Sequence, residues 1–261
     1  MLKNNIKLTI VSLTHYYKLI CRSLLFLAGI IMYILSKTTY LENHVFAFEY
    51  DYLILGVIWV FFVIEMFLRL FPSKTESIGC QKQFKHTFIE KEDTNIISMK
   101  TRPISTFICF MAWVTLNGII GLLYFFNVID AEILYLIALA YSVCDMICIL
   151  FFCPFQTWFL KNKCCATCRI YNWDYLMMVT PLIFVPNIFT YSLIVIALIV
   201  LLRWEITYKL HPNRFIEGKN AALDCVNCNE KLCTHKKQLQ SFLKKRREKI
   251  QKKINKLMKK N

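Results

Sequence analysis

The chain has 261 residues, of which 57% are apolar and 19% are charged, and its formal net charge is +15. A water-soluble domain of this length carries more charge on its surface, so the composition argues against a soluble enzyme. The apolar residues stand in long blocks rather than at the spacing of a soluble core, which indicates membrane-spanning helices. The sequence therefore predicts an all-α, polytopic membrane domain over residues 17–210.

Four apolar blocks are long enough to cross a bilayer, which takes roughly 20 residues of helix. A fifth apolar region is longer than one span and is interrupted by Pro181 and by Pro186-Asn187, where a turn is expected. We expect six spans, or four spans and a re-entrant hairpin; one Pro-kinked helix is the alternative. The predicted spans are residues 17–36, 52–71, 104–126, 132–152, 173–185 and 188–208.

The distribution of charge predicts the orientation, because Lys and Arg collect in cytoplasmic loops. The loops after the second and fourth predicted spans are basic, and the chain after Leu202 holds 17 Lys and Arg against 5 Asp and Glu. Only a hairpin keeps that tail on the same side as the basic loops. We expect a plasma-membrane protein with both termini cytoplasmic, including the segment 1–16. Four cations are expected to precede the first span: Lys3, Lys7, Lys18 and Arg22.

Nine of the twelve cysteines lie from Cys144 onward. One C-x-x-C pair falls in the predicted cytoplasmic loop 153–172 and another in the segment 211–235. This spacing lets two thiolates reach one metal ion, and a reducing cytosol favours a metal over disulfides. The predicted ligands are Cys165, Cys168, Cys225 and Cys228, with Cys153, Cys164, Cys233 and His235 in reserve.

Zinc is the favoured metal, since two C-x-x-C pairs supply the closed tetrahedral set of structural zinc sites. An iron–sulfur cluster is the first alternative, although the ferredoxin run C-x-x-C-x-x-C is absent. A thiol–disulfide relay between Cys164-Cys165 and Cys225-Cys228 is the second. Four further cysteines are expected to pack as small apolar residues in the membrane: Cys21, Cys109, Cys144 and Cys148.

Several charged residues fall inside the predicted spans, where a charge must be paired, protonated or functional. Glu65 and Arg69 are four residues apart and are expected to form an ion pair along one helix. Asp145 is expected to contact Arg69 or the thiols. Asp174 and Arg203 bracket the fifth apolar region and are expected to pair across the hairpin.

The C-terminal stretch 236–261 reads as a basic amphipathic helix. We expect it to lie on anionic lipid headgroups, each basic residue contributing about 1 kcal/mol. The expected partners are the bilayer and a cytoplasmic protein; nucleic acid is not expected. No catalytic or nucleotide-binding motif is found.

These patterns predict a non-enzymatic membrane protein whose cytoplasmic zinc site joins loop and tail into a scaffold, sensor or docking platform. One alternative is a membrane redox protein that passes electrons to a partner through an iron–sulfur cluster or thiols. The other is a transporter or channel that uses Glu65, Arg69 and Asp145.

Overall fold

A computed structural model describes residues 9–39, 47–91, 103–162, 164–228, 230 and 233. His235 and the basic stretch 236–261 lie outside these residues. The described part is all-helical and contains no strand, only one isolated bridge between Glu90 and Asn220. The α-helices are α1 (Ile10–Thr39), α2 (Ala47–Arg69), α3 (Ile78–Gln81), α4 (Pro103–Phe125), α5 (Ala131–Leu150), α6 (Asp174–Val179) and α7 (Ile188–Leu210).

Shorter helical turns connect these helices. One π-helical segment, Phe155–Leu160, follows α5. The 3-10 turns are Lys85–Thr87, Cys165–Thr167, Tyr171–Trp173, Thr180–Phe184, Pro212–Phe215 and Ala221–Leu223.

Four described helices, α1, α4, α5 and α7, are long and apolar enough to cross a membrane. Large apolar side chains on α1 and α4, such as Ile31 and Leu122, lie exposed on the surface of the bundle. A bilayer is the environment that covers such surface without cost, because lipid chains are as apolar as the side chains. The fold is therefore compatible with a multi-pass membrane protein. Helix α2, with 23 residues, also has the length of a span.

The first helix begins earlier than predicted, at Ile10 rather than near residue 17. Lys18 and Arg22 therefore lie within α1, where they are 9% and 0% exposed. They do not flank the helix as expected, because Glu76, in the segment before α3, and Glu65 of α2 neutralise them inside the bundle. Two of the four cations assigned to the N-terminal flank are thus structural.

The fifth apolar region folds back on itself. Helix α6 continues as the 3-10 turn Thr180–Phe184, and α7 begins at Ile188. The Asn187 side chain caps α7 by accepting from the backbone N–H of Phe189 at 3.1 Å, and Thr190 Oγ1 accepts from the Asn187 N–H at 3.3 Å. This reciprocal capping box ends the turn after Pro186, which has no N–H to donate.

The two arms of this hairpin start and finish at the same end of the bundle. Trp204, near the end of α7, donates its indole N–H to the carbonyl of Arg169, just before α6, at 3.0 Å. Arg169 in turn donates to Glu205 Oε1 at 2.8 Å. The chain after α7 therefore emerges beside the segment that precedes α6.

Three connecting segments, residues 70–91, 153–173 and 211–228, pack together at that end; we call them the cap. Arg214 donates to the carbonyl of Gln83 at 3.0 Å, and the N–H of Ala221 donates to the carbonyl of Ile89 at 2.8 Å. These bonds join the last segment to the first. At the opposite end of the bundle, Lys37 binds Asp130 at 2.9 Å.

Candidate functional site

Arg22 ties three helices together from inside the bundle. Its guanidinium donates to Glu65 of α2 at 2.7 Å and to Asp145 of α5 at 2.9 Å. It also donates to the carbonyl of Ser142 at 3.0 Å. An arginine without solvent contact is tolerated because these acceptors replace its water shell.

The intramembrane charges singled out from the sequence are paired as well, but with residues of other helices. Glu65 binds Arg22 rather than Arg69, and Arg69 binds Asp174 through a short hydrogen bond. Asp145 binds Arg22 and not Arg69, but it lines one cavity with the thiols of Cys144 and Cys148, which are its other expected neighbours. The prediction of a Glu65–Arg69 pair was wrong because it considered one helix alone, whereas the bundle offers partners from other helices.

The expected pair between Asp174 and Arg203 does not form either. Arg203 donates to the carbonyl of Leu70 at 2.6 Å and lies over the ring of Phe84. Since Arg69 already neutralises Asp174, Arg203 is left to hold the end of α2 against the cap. These pairings give Glu65, Arg69 and Asp145 a structural role; the transporter or channel function suggested for them stays a prediction.

A buried lysine holds the cysteine-rich loop. Lys82 Nζ donates to the carbonyls of Ala166 and Cys168, both at 2.8 Å. Burial lowers the pKa of Lys82 to about 8. Burial also raises the pKa of the Cys168 thiol to about 12, so this side chain stays protonated at neutral pH. The loop is therefore pinned through its backbone.

The four first-choice ligands are not brought together. Cys165 and Cys168 line a cavity between the cap and the bundle, whereas Cys225 is exposed and Cys228 is half-buried in the last segment of the cap. Among the described residues, no group of three or more His, Cys, Asp or Glu side chains is arranged to hold a metal ion. The composite site of those four cysteines is not formed, and metal binding itself stays a prediction.

Loop and tail nevertheless meet, through two cysteines that were held in reserve. The Cys164 thiol and the Cys233 thiol form a hydrogen bond, which lowers the pKa of Cys164 to about 5 although burial opposes the shift. This hydrogen bond favours the thiolate of Cys164, the form that binds metals and attacks disulfides. The Thr167 hydroxyl lies 3.9 Å from its sulfur.

The tail residue Glu230 anchors this contact. Its carbonyl accepts from the hydroxyl of Ser12 on α1 at 2.7 Å, and its carboxylate accepts from Ser77 at 2.5 Å. Burial raises the pKa of Glu230. Glu230 is only 4% exposed, so the tail is packed against α1 and the cap at this residue.

The cavity beside the loop brings predicted metal ligands together with two cysteines, Cys144 and Cys148, that are expected from the sequence to pack as small apolar residues. It has a volume of about 140 Å³ and is lined by Cys144, Cys148, Cys153, Cys165 and Cys168. The thiols of Cys148 and Cys153 form a hydrogen bond. The four-residue spacing of Cys144 and Cys148, which places both on one face of a helix, was the signal available in the sequence. All twelve cysteines, each among the described residues, are outside disulfide bonds.

Comparison of the chain with protein-family models, with curated proteins and with solved structures finds no match.

Proposed function

We propose that this is a multi-pass membrane protein in which a zinc ion, held by thiols of the cap and tail, makes the cap a docking platform or sensor. The observation that carries the proposal is the contact between Cys164 of the loop and Cys233 of the tail. Two segments far apart in sequence present their sulfur atoms to each other, and their hydrogen bond lowers the pKa of the Cys164 thiol. Paired thiolates from separate segments are the usual donors of structural zinc.

The remaining ligands would come from the same tail. Structural zinc takes four ligands. His235 is the next residue of ligand type after Cys233, and Cys225 and Cys228 precede it. Because an unfolded tail holds no preformed site, metal binding would stabilise the docked tail. The fraction of chains with the tail docked on the cap would thus rise with the concentration of the metal.

The proposed topology places the cap, loop and tail in the cytoplasm of a cell whose plasma membrane the bundle spans, with both hairpin arms inside the bilayer. The shared end of the two arms supports this arrangement. The basic stretch 236–261 follows directly after the docked tail, so it would start close to the anionic leaflet. A cytoplasmic protein is the proposed docking partner.

The test is elemental analysis of the full chain, purified in detergent without chelators. We expect about one zinc per chain in the wild type, in line with a single closed site. The Cys164→Ser/Cys233→Ser variant should lose it, and the control Cys21→Ser should keep it. Chelation should also speed tryptic cleavage of the tail. A wild-type protein without zinc would overturn the proposal, and iron with acid-labile sulfide would favour the electron-carrying alternative.

The same contact favours a second candidate, a redox clasp. The Cys164 thiolate would attack a small oxidised disulfide and release one thiol; Cys233 would then displace the second thiol, leaving a Cys164–Cys233 disulfide. Two electrons and two protons pass to the small disulfide in all. Peptide mass spectrometry after treatment with oxidised glutathione distinguishes the two: a linked Cys164–Cys233 peptide supports the clasp, and bound zinc should prevent it.

A further inference from the structure

A second sulfur-rich feature lies deeper in the molecule, apart from the Cys164–Cys233 contact. It is the cavity of about 140 Å³ between α4, α5, α6 and the cap. Trp113 of α4 and Tyr141 of α5 form part of its apolar wall, and Tyr171 of the cap closes another side. Such a space is large enough for an ion and for the side-chain movements that coordination requires.

Sulfur is concentrated in this wall. Of the sixteen lining residues that the structure describes, five are cysteines and two are methionines, Met177 and Met178. The whole chain has only 12 Cys and 9 Met in 261 residues. The wall therefore presents soft donors from α5, α6 and the loop at once, and such donors select soft metal ions.

Two of these sulfur atoms are already in contact. Helix α5 ends at Leu150, and the non-helical Phe151 turns the chain so that Cys153 meets Cys148 one turn back. The N–H of Gln156 donates to Cys153 Sγ at 3.4 Å, which fixes the position of that sulfur. The Cys165 thiol donates to Gln156 Oε1 at 3.6 Å, so the same residue contacts a third sulfur of the cavity wall.

We propose that this cavity binds Cu(I) through the thiolates of Cys148 and Cys153, with the thioether of Met177 as a further donor. Cu(I) is a soft ion that accepts as few as two sulfur ligands, whereas zinc in a structural site needs four donors in tetrahedral geometry. The described residues contain a thiol pair here but no ready group of three protein ligands for a harder ion. The proposal does not depend on zinc at Cys164 and Cys233.

Binding is an exchange of protons for the ion. Each coordinating thiol releases one proton to solvent, and the two thiolates with Cu(I) carry a net charge of −1. The ion enters and leaves in the same oxidation state, so no electron is transferred. The Met177 thioether can join the shell without losing a proton, which keeps that charge unchanged.

The test is an anaerobic titration of the reduced full chain in detergent against the Cu(I) chelator bathocuproine disulfonate, read by absorbance. We expect the wild type to withdraw about one Cu(I) per chain. The Cys148→Ser/Cys153→Ser variant should bind at least ~100-fold more weakly, since loss of even outer-shell groups costs 10–100-fold. The control Cys21→Ser, which removes a cysteine of α1 outside this cavity, should bind as the wild type does.

Measuring which cysteines of the wild type Cu(I) protects from alkylation keeps the test independent of whether a variant folds. Bound Cu(I) should protect Cys148 and Cys153 from N-ethylmaleimide, measured by peptide mass spectrometry, while Cys225 stays reactive. X-ray absorption should show a shell of sulfur alone. No withdrawal from the chelator, nitrogen or oxygen in the shell, equal competition by zinc, or protection confined to the tail cysteines would each overturn the proposal.

Discussion

Arg22 shows how one residue can hold a helical bundle together. Its guanidinium, which is fully buried, binds carboxylates of α2 and α5. In a medium of low dielectric constant, both burying such a pair and removing one of its partners cost free energy. Its strength comes from geometry, because one planar guanidinium donates to both carboxylates at once. Lys18 Nζ lies farther from Glu65, at 3.9 Å.

We predict that Arg22→Met destabilises the fold by about 3–5 kcal/mol, because Glu65 and Asp145 lose their buried partner. Unfolding in mixed micelles at increasing SDS content would measure this free energy. The matched control is Lys37→Met, because the side chains of Lys37 and Asp130 are both more than half exposed. It should unfold close to the wild type, because solvent screens an exposed pair. Adding Glu65→Gln and Asp145→Asn to Arg22→Met neutralises both carboxylates and should recover part of the lost stability. Equal free energies of unfolding for Arg22→Met and Lys37→Met would contradict the role of Arg22.

At the scale of elements, the first arm of the hairpin depends on a close approach to α4. A Cβ added at Gly121 would lie 2.3 Å from the Phe184 ring, inside the ring's own contact surface. Phe184 ends the 3-10 turn, so the glycine sets how closely this arm packs. Gly118, less than one turn earlier on α4, has nothing within 4 Å of the same added atom.

Replacing the two glycines by alanine should change the free energy of unfolding in opposite directions. Gly121→Ala should destabilise the bundle by about 1–3 kcal/mol, the usual cost of overpacking. Gly118→Ala should stabilise it by about 0.5–1 kcal/mol, because alanine has the better helix propensity and nothing resists its methyl group. SDS unfolding measures both. Adding Phe184→Leu to Gly121→Ala should restore stability, and a failure to do so would refute the close contact as the cause.

For the whole molecule, the important feature is which end of the bundle the chain leaves after α7. The cap draws together the segment that contains α3, the segment before α6 and the segment after α7, and Glu230 brings the tail to the start of α1. A single kinked helix over the fifth apolar region would send the tail to the side of Asp130 instead. Topology therefore decides whether loop and tail can share a site at all.

We predict that epitope tags inserted after Asn127 and after Val226 lie on opposite sides of the membrane. Val226 is 95% exposed, and Asn127 lies in the short turn between α4 and α5, so both positions accept an insertion. In intact cells antibody should reach the tag after Asn127 only, and permeabilisation should reveal the other. Staining of both tags in intact cells would show a single crossing and would exclude the hairpin.

The sequence by itself determined the helical class, the long apolar helices and the interruption at Pro186-Asn187. These features depend on local chemistry: apolar length, missing N–H groups and capping side chains act over a few residues. The same locality explains the errors. Glu65 and Arg69 were paired because they are neighbours on one helix, and Lys18 was assigned to a flank because only its position along the chain was visible.

Tertiary structure alone decided which distant groups meet. Arg22 reaches Asp145 across 123 residues of sequence, and Cys164 meets Cys233 although neither belonged to the first-choice ligand set. The cavity that gathers cysteines from α5 and the loop forms only when α4, α5, α6 and the cap pack together. Such contacts depend on the faces that helices turn toward one another, and packing, unlike helix formation, is a property of all the helices at once.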